Sequence, residues 1–322
     1  MNKVRMLGFG IAFLFCGWIG HKTFLYLTHN NNPVVTVVGL KENGSYKGVM
    51  SCSLSSQNDY KVDSVQLFLD GKPLEVDGAQ RVRSAAFAIP FDIETKELKN
   101  GVHELELHAV DSSYHRNKYS SKCNFFIDNQ DLKGALLSSS YKVNQGKTLH
   151  LKLQLNKQVD KAQVKLQSTT YDCYPEDKGS TLYETFIPID CEERPNEYAL
   201  GVDIEDKVGN TLKLAGAVTI AEFKFPKQKG FTVSTEKIEE EKEVSMSNRI
   251  LDDALAKWLQ DSPKQKMWTG EFEIPTVVQR YSTPYGELRT TPERGRYYHR
   301  AVDIVNHPQS VIWASQNGRV II

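Results

Sequence analysis

A chain of 322 residues, 40% hydrophobic and 25% charged, has the composition of a globular protein and the length for two or three domains. Forty Lys and Arg balance forty Asp and Glu, so the formal net charge is zero. No basic stripe interleaved with aromatics stands out, which excludes nucleic acid as an expected partner.

The N-terminus differs from the rest. "MNKVR" carries Lys3 and Arg5, an uncharged run "MLGFGIAFLFCGWIG" follows, and His21 and Lys22 interrupt it before "TFLYLT". A basic start and an apolar run read as a secretory signal or a signal anchor. A membrane-spanning helix needs roughly 20 mainly apolar residues, and residues 6–27 supply them if Lys22 snorkels to the interface. No small-x-small cleavage site follows, Asn30 to Pro33 resemble a polar linker, and Phe15 before Cys16 is too bulky for a lipoprotein acylation site. The expectation is a cytoplasmic tip, single-pass anchor and linker over residues 1–32. The bulk of the chain then lies on the exported side of the cell membrane; a cleaved signal remains open.

Export places the remaining cysteines, Cys52, Cys123, Cys173 and Cys191, in an oxidising compartment where they can pair in three ways. Pairing Cys52 with Cys123 and Cys173 with Cys191 keeps each bridge inside one module; four free thiols fit the sequence equally. Without a CxxC, a structural zinc ribbon is excluded.

From residue 33 to 129 the pattern is all-β. "VVTVVGL", "VDSVQLFLDGKPL", "SAAFAIPFDI", "HELELHAVD" and "SKCNFFIDN" are short strands rich in β-branched and aromatic residues. Asp70-Gly71 and Asn100-Gly101 supply the turns between them. Strands at this spacing predict a β-sandwich, and the last two resemble the closing strands of bacterial immunoglobulin-like modules. The plan recurs over 130–226 in "TLHLKLQLN", "KAQVKLQSTTYDCY", "TLYETFIPID", "EYALGVDIEDKVGNTLKL" and "AVTIAEFKF", where "VDIEDKVGNTL" echoes "HAVDSSYHRNKY". Two tandem sandwiches are expected. Asp128, Asp203 and Asp206 stand where such modules sometimes take calcium, although turn-forming Asp residues usually cap their own backbone.

Residues 227–264 read as a charged linker, Glu236 to Glu243, and an amphipathic helix. Ile250, Leu251, Leu255, Trp258 and Leu259 recur at helical spacing, with Pro263 ending the run. The stripe is expected to bury itself against the following domain.

That domain, 265–322, carries four landmarks in order: "WTGEFEIP", "TPYGELR", "RYYHRAVDI" and "SVIWASQNGRVI". Together they resemble the first part of the lysostaphin/LytM-type zinc endopeptidases, β-rich enzymes that cut peptide cross-links in bacterial cell walls. The resemblance puts His299 and Asp303 on the family's first two zinc ligands, in its His-x-Gly-x-Asp motif. Zinc takes imidazole nitrogen and carboxylate oxygen, and a catalytic site adds a third protein ligand and leaves one position open for water. The metal lowers that water's pKa towards 7, and a neighbouring His takes the proton. Spacing alone argues otherwise, because four residues of extended strand span about 13 Å. The chain must bend between His299 and Asp303, and Ala301 stands where the family has Gly.

A second departure concerns the family's later His-x-His pair, which supplies the third ligand and the general base. The only His after Asp303 is His307, in the loop-like "NHPQS". His21, His29, His103, His108, His115 and His150 belong to the anchor region or the sandwiches. No catalytic residue is therefore assigned. Zinc is expected for the complete family domain and weakly or not at all here; the chain reads as a C-terminally truncated relative. The fold expected is mainly β: a membrane helix, two tandem immunoglobulin-like sandwiches and the start of a LytM-like domain. The function expected is a membrane-anchored, exported peptidoglycan hydrolase, inactive as it stands. The alternative is a non-enzymatic envelope protein whose modules bind peptidoglycan or another envelope component, with a vestigial peptidase segment.

Overall fold

A computed structural model describes residues 17–228, 236, 239, 250, 253–258, 265–291 and 295–320. The contacts divide the chain into two compact units, Met1–Asp131 and Leu132–Ile322.

The first unit opens with a helix, α1, over residues 17–28. Among the described residues no helix is long and apolar enough to cross a membrane, and residues 1–16 of the expected anchor lie outside them. The end of α1 is tied to the sandwich that follows. Tyr26 O accepts a bond from Tyr114 N (3.0 Å), His29 O accepts one from Asn117 Nδ2 (3.2 Å), and the His29 ring stacks on Tyr60 at 4.7 Å.

Seven strands build that sandwich: β1 (Thr36–Val38), β2 (Ser45–Tyr46), β3 (Val49–Leu69), β4 (Lys72–Leu74), β5 (Ser84–Glu94), β6 (Gly101–Asp111) and β7 (Lys118–Ile127). The 21-residue β3 belongs to both faces. Its first half pairs with β1 and β5, its second with β4 and β6, and the register breaks between Gln57 and Val62. Such a bulge lets one strand turn the corner from sheet to sheet. Asp70 (φ 52°) and Gly71 (φ 74°) both take positive φ, the demand of the tight turn expected there. Alternation fills the core: Met50, Cys52 and Leu54 from one sheet meet Leu105, Leu107, Phe125 and Ile127 from the other.

The second sandwich repeats the plan with β8 (Gly134–Leu136), β9 (Ser140–Asn144), β10 (Thr148–Leu155), β11 (Lys161–Leu166), β12 (Thr169–Asp172), β13 (Tyr174–Pro175), β14 (Leu182–Pro188), β15 (Asn196–Glu205) and β16 (Thr211–Ala221). Its sheets run β13-β14-β10-β8 and β12-β11-β15-β16-β9. In both modules the opening strand splits. β1 and β8 pair antiparallel with β3 and β10, while β2 and β9 join the final strand in parallel. That shared sheet-switching start and antiparallel remainder make the architecture mainly β and immunoglobulin-like.

The modules also close their last hairpin in the same way. Asp111 N donates to Asn117 O and Asp206 N to Asn210 O, each at 3.0 Å. In return Asn117 N reaches Asp111 Oδ1 (3.0 Å) and Asn210 N reaches Asp206 Oδ1 (2.7 Å); both Asn side chains donate to the second carboxylate oxygen at 2.8 Å. The sequence echo is thus a repeated side-chain clamp.

Of the helix expected after the linker, residues 253–258 are helical and Trp258 is half-buried. Ile250 and Leu255 are exposed instead of buried as expected. The rest of that pattern, Leu251, Leu259 and Pro263, and most of the Glu236–Glu243 run lie outside the described residues.

Four further strands follow: β17 (Arg280–Thr283), β18 (Leu288–Thr291), β19 (Gly295–Tyr298) and β20 (Asp303–Val305). They pair as β17–β20 and β18–β19, both antiparallel. The fourth landmark, "SVIWASQNGRVI", forms no strand among its described residues. Residues 306–320 carry no strand, and single bonds tie them to the opening landmark: Trp313 N to Pro275 O (2.9 Å) and Glu273 N to Ser315 O (2.9 Å). A strand needs a continuous ladder, and these isolated bonds do not build one.

Candidate metal centre

The landmark "TPYGELR" folds into the turn and strand that hold His299. Gly286 N donates to His299 O at 2.7 Å and His299 N to Glu287 O at 2.9 Å, so the imidazole leaves the end of β19 at a fixed place. The turn is fastened to the second sandwich. Leu288 N donates to Pro226 O (2.8 Å), Gln228 N to Leu288 O (2.9 Å), and Gly286 lies against Phe225. Gly286 has φ +80°, and a Cβ there would sit 2.2 Å from the Phe225 ring; only glycine satisfies both conditions.

The bend then brings the two sequence-predicted ligands together. His299 Nε2 lies 3.5 Å from Asp303 Oδ1, the imidazole mostly buried and the carboxylate about half exposed. Asp303 starts β20, held opposite Thr283. Ala301 is a bend residue outside the positive-φ set, so Ala in place of the family's Gly brings no left-handed strain. Arg289 completes the group. Its guanidinium bonds Thr283 Oγ1 (2.7 Å) and Glu287 Oε1 (3.3 Å) and lies 3.7 Å from Asp303 Oδ2, steadying the carboxylate. Thr283, Gly286, Glu287 and Arg289 are therefore positioning residues that the ligand motif alone does not reveal.

Nitrogen and oxygen ligands at about 2.0–2.1 Å on a tetrahedral zinc are separated by roughly 3.4 Å. The His299–Asp303 spacing fits two corners of that tetrahedron. His299 Nδ1 is buried without a hydrogen-bond partner, whereas a ligating His normally donates from its other nitrogen. Among the described residues, no third His, Cys, Asp or Glu joins the pair. His307 is exposed in a turn, its carbonyl accepting from Ser310 N and Oγ (3.2 and 2.7 Å).

The other candidate carboxylates already have partners. Asp190, Cys191 and Glu192 bring one ligand atom each within 4.8 Å of one another. Arg300 already supplies a cation there, its Nη2 at 2.6 Å from Glu192 and 3.3 Å from Asp190. Burial and the neighbouring Asp190 push the Cys191 thiol up, which disfavours the thiolate a metal needs. Asp203 is paired with Lys165 at 2.6 Å. Asp128 Oδ1 accepts from Gln130 N at 3.1 Å in its own turn. Asp206 is buried with Lys157 at 2.7 Å. These are structural carboxylates, the ordinary outcome for turn-forming Asp. Cys52, Cys123, Cys173 and Cys191 are free thiols in this structure. Burial pushes Cys123 up to about 11 and Cys173 up to about 12.

No family model matches the chain, and no curated protein does. Among solved structures it is similar to the fibronectin(III)-like modules of Clostridium thermocellum CbhA, at 11% identity and a TM-score of 0.36, over 59% of this chain and 95% of that one. It is also similar to the N-terminal Ig1-2 module of the Drosophila receptor protein tyrosine phosphatase DLAR, at 13% identity and a TM-score of 0.22, over 58% of this chain and 98% of that one.

Proposed function

We propose that the chain is a membrane-anchored, exported envelope protein carrying the first half of a LytM-like zinc endopeptidase site behind two immunoglobulin-like modules. The observation that carries this reading is the 3.5 Å approach of His299 Nε2 to Asp303 Oδ1, across a gap the sequence spacing alone would leave open. Zinc held there with its missing ligands would supply a hydroxide at neutral pH and polarise a peptide carbonyl. The chain's own residues orient: Gly286 and Glu287 fix the His299 backbone, and Arg289 with Thr283 holds Asp303. The modules serve as spacers or docking units towards peptidoglycan or another envelope polymer.

The later His-x-His pair has no counterpart in these 322 residues. They are therefore expected to lose zinc on gel filtration and to leave purified cell wall intact. Cobalt(II) titration of the full chain should give weak, saturable visible absorption that disappears in His299→Ala and in Asp303→Asn. Equal affinity in the variants would sink the ligand assignment, and stoichiometric zinc with wall cleavage would sink the inactivity. One observation favours a non-enzymatic binding protein instead: the lack, among the described residues, of a third ligand beside the pair. Under that reading cobalt gives no absorption even in the unaltered chain.

A further inference from the structure

The outer face of the β13-β14-β10-β8 sheet carries a cleft of about 1260 Å³, closed on one side by residues 266–272. Its floor is set by strand register. His150 on β10 lies opposite Phe186 on β14, and Lys152 lies opposite Glu184. The first pair stacks, with ring centroids 4.4 Å apart and planes 13° apart. Trp268 leans over this floor, 6.5 Å from Phe186 and 6.1 Å from Tyr174, and Phe272 continues the row 6.2 Å beyond it. Phe186 and Phe272 nevertheless remain 41% and 63% exposed, a contiguous aromatic surface with a free face.

Fixed polar groups border the rings. Glu184, though buried, is bonded by both Lys266 Nζ and His150 Nε2, the latter at 2.8 Å. Lys266 also donates to Glu176 O (2.8 Å), and Lys152 to Glu176 Oε1 (2.5 Å). Burial alone would raise the Glu184 carboxyl; the Lys266 and His150 bonds outweigh it and hold it below the usual range. These pairs offer acceptors and donors at set positions beside aromatic faces, the combination of a preformed ligand site.

Three classes of occupant fit poorly. Five carboxylates against two lysines line the cleft, which repels polyanions. An extended peptide gains affinity by adding to a sheet edge, and the edge strand here, β13, is two residues long. A wholly apolar ligand would strand the paired charges without water. A pyranose ring suits both features: its C–H face matches the negative face of an aromatic ring, and its hydroxyls both donate and accept. We infer that this cleft binds a neutral saccharide chain, with sugar rings against Phe186, Trp268 and Phe272 and hydroxyls on the Glu184–His150 and Lys152–Glu176 pairs. It shares no residue with the His299–Asp303 pair and stands whether or not that pair takes zinc.

The test is calorimetric titration of the full chain, in mild detergent and with chelator present, using cellohexaose and chitohexaose. Saturable heat is expected with at least one of them. Affinity should fall about tenfold or more in Trp268→Ala and in Phe186→Ala. Both variants should keep the unaltered unfolding midpoint, and His299→Ala should bind sugar unchanged. No saturable heat with either sugar overturns the inference, as does binding that survives both aromatic variants. Competition by choline or an unglycosylated peptide at the same aromatic residues, with no response to sugar, overturns it too.

Discussion

Residues 132–228 and residues 265–320 hold similar apolar side chains and place them in opposite ways. In the second sandwich the strands alternate: β10 turns Leu149, Leu151, Leu153 and Leu155 inward beside Ile187 of β14, where Val202 and Val218 of the facing sheet meet them. In the later segment Phe272, Ile274, Val277, Val311, Ile312 and Val320 are all exposed, and Leu288 is the one buried aliphatic among the described residues. Backbone pairing explains the contrast. Sheets of four and five strands give each inward side chain a facing layer, whereas two-stranded ribbons have none and are marginal alone. The segment is held by borrowed contacts: Lys266 and Trp268 at its start meet Glu176, Glu184, Tyr174 and Phe186, and the Gly286 turn meets Phe225, Pro226 and Gln228. A close His–Asp pair can thus be ordered by a neighbouring module's edge instead of by a core of its own.

The largest expected effects break this comparison directly. Ile187→Ala, at a fully buried position, should cost about 2–5 kcal/mol in urea unfolding of the full chain. Ile312→Ala, at a side chain 77% exposed, should stay within about 0.5 kcal/mol. Comparable losses at both positions would show that the later segment has a packed interior, and the contrast would fall.

Next in size is the hairpin clamp. Asp206→Ala removes the carboxylate paired with the mostly buried Lys157 and strips acceptors from Val208 N and Asn210 N. The cost should be about 3 kcal/mol, in the range for breaking a buried pair from one side. Burial would raise the Asp206 carboxyl, but Lys157, Asn210 and the turn amides outweigh it and hold it below the usual value. A depressed carboxylate stabilises the fold fully above its unfolded pKa of about 3.9 and loses that contribution as pH falls through the lower folded value. The stability difference between the unaltered chain and Asp206→Asn should therefore be flat near neutrality and shrink below about pH 4. A difference that grows on acidification would reverse the assigned sign.

How much of this could be read from sequence depended on whether the signal was local. "HELELHAVD" announces β6 because inward His103, Leu105, Leu107 and Ala109 alternate with outward residues. The first half of β3 was not read as a strand, since its inward Met50, Cys52, Leu54 and Ser56 sit in a Ser-rich stretch with little β signal. Short β2 and β9 were missed as well, because parallel pairing with the last strand is a long-range decision. The closeness of His299 and Asp303 follows from the resemblance alone: strand spacing argues them apart, and the bend that joins them rests on backbone bonds from the Gly286 turn. The aromatic cleft left no trace, since its key contacts, Lys266 with Glu184 and Trp268 with Phe186, join residues distant in the chain.

Two smaller effects sharpen the claim that the later segment is docked by its neighbour. Gly286→Ala forces a left-handed Ala, costing about 1–2 kcal/mol, and drives a methyl into Phe225. The loss should fall on the segment itself: faster amide exchange at His299 and Leu288 while the buried strand β10 keeps its protection. Uniformly faster exchange in both regions would mean that they unfold as one cooperative body.

The smallest effect belongs to the most visible contact between the segment and the sandwich. Arg300 reaches Glu192 at 2.6 Å and Asp190 at 3.3 Å, yet its side chain is 58% exposed. Water screens such a pair, and holding a long side chain in one geometry costs entropy, so exposed ion pairs contribute little. Arg300→Ala should leave the urea unfolding midpoint unchanged within error and exchange at His299 unaltered. Docking of the His299 turn would then rest on the Phe225–Gly286 contact and the Leu288 backbone bonds. If Arg300→Ala instead released His299 as fully as Gly286→Ala does, the segment would be held by charge, and high salt alone should free it.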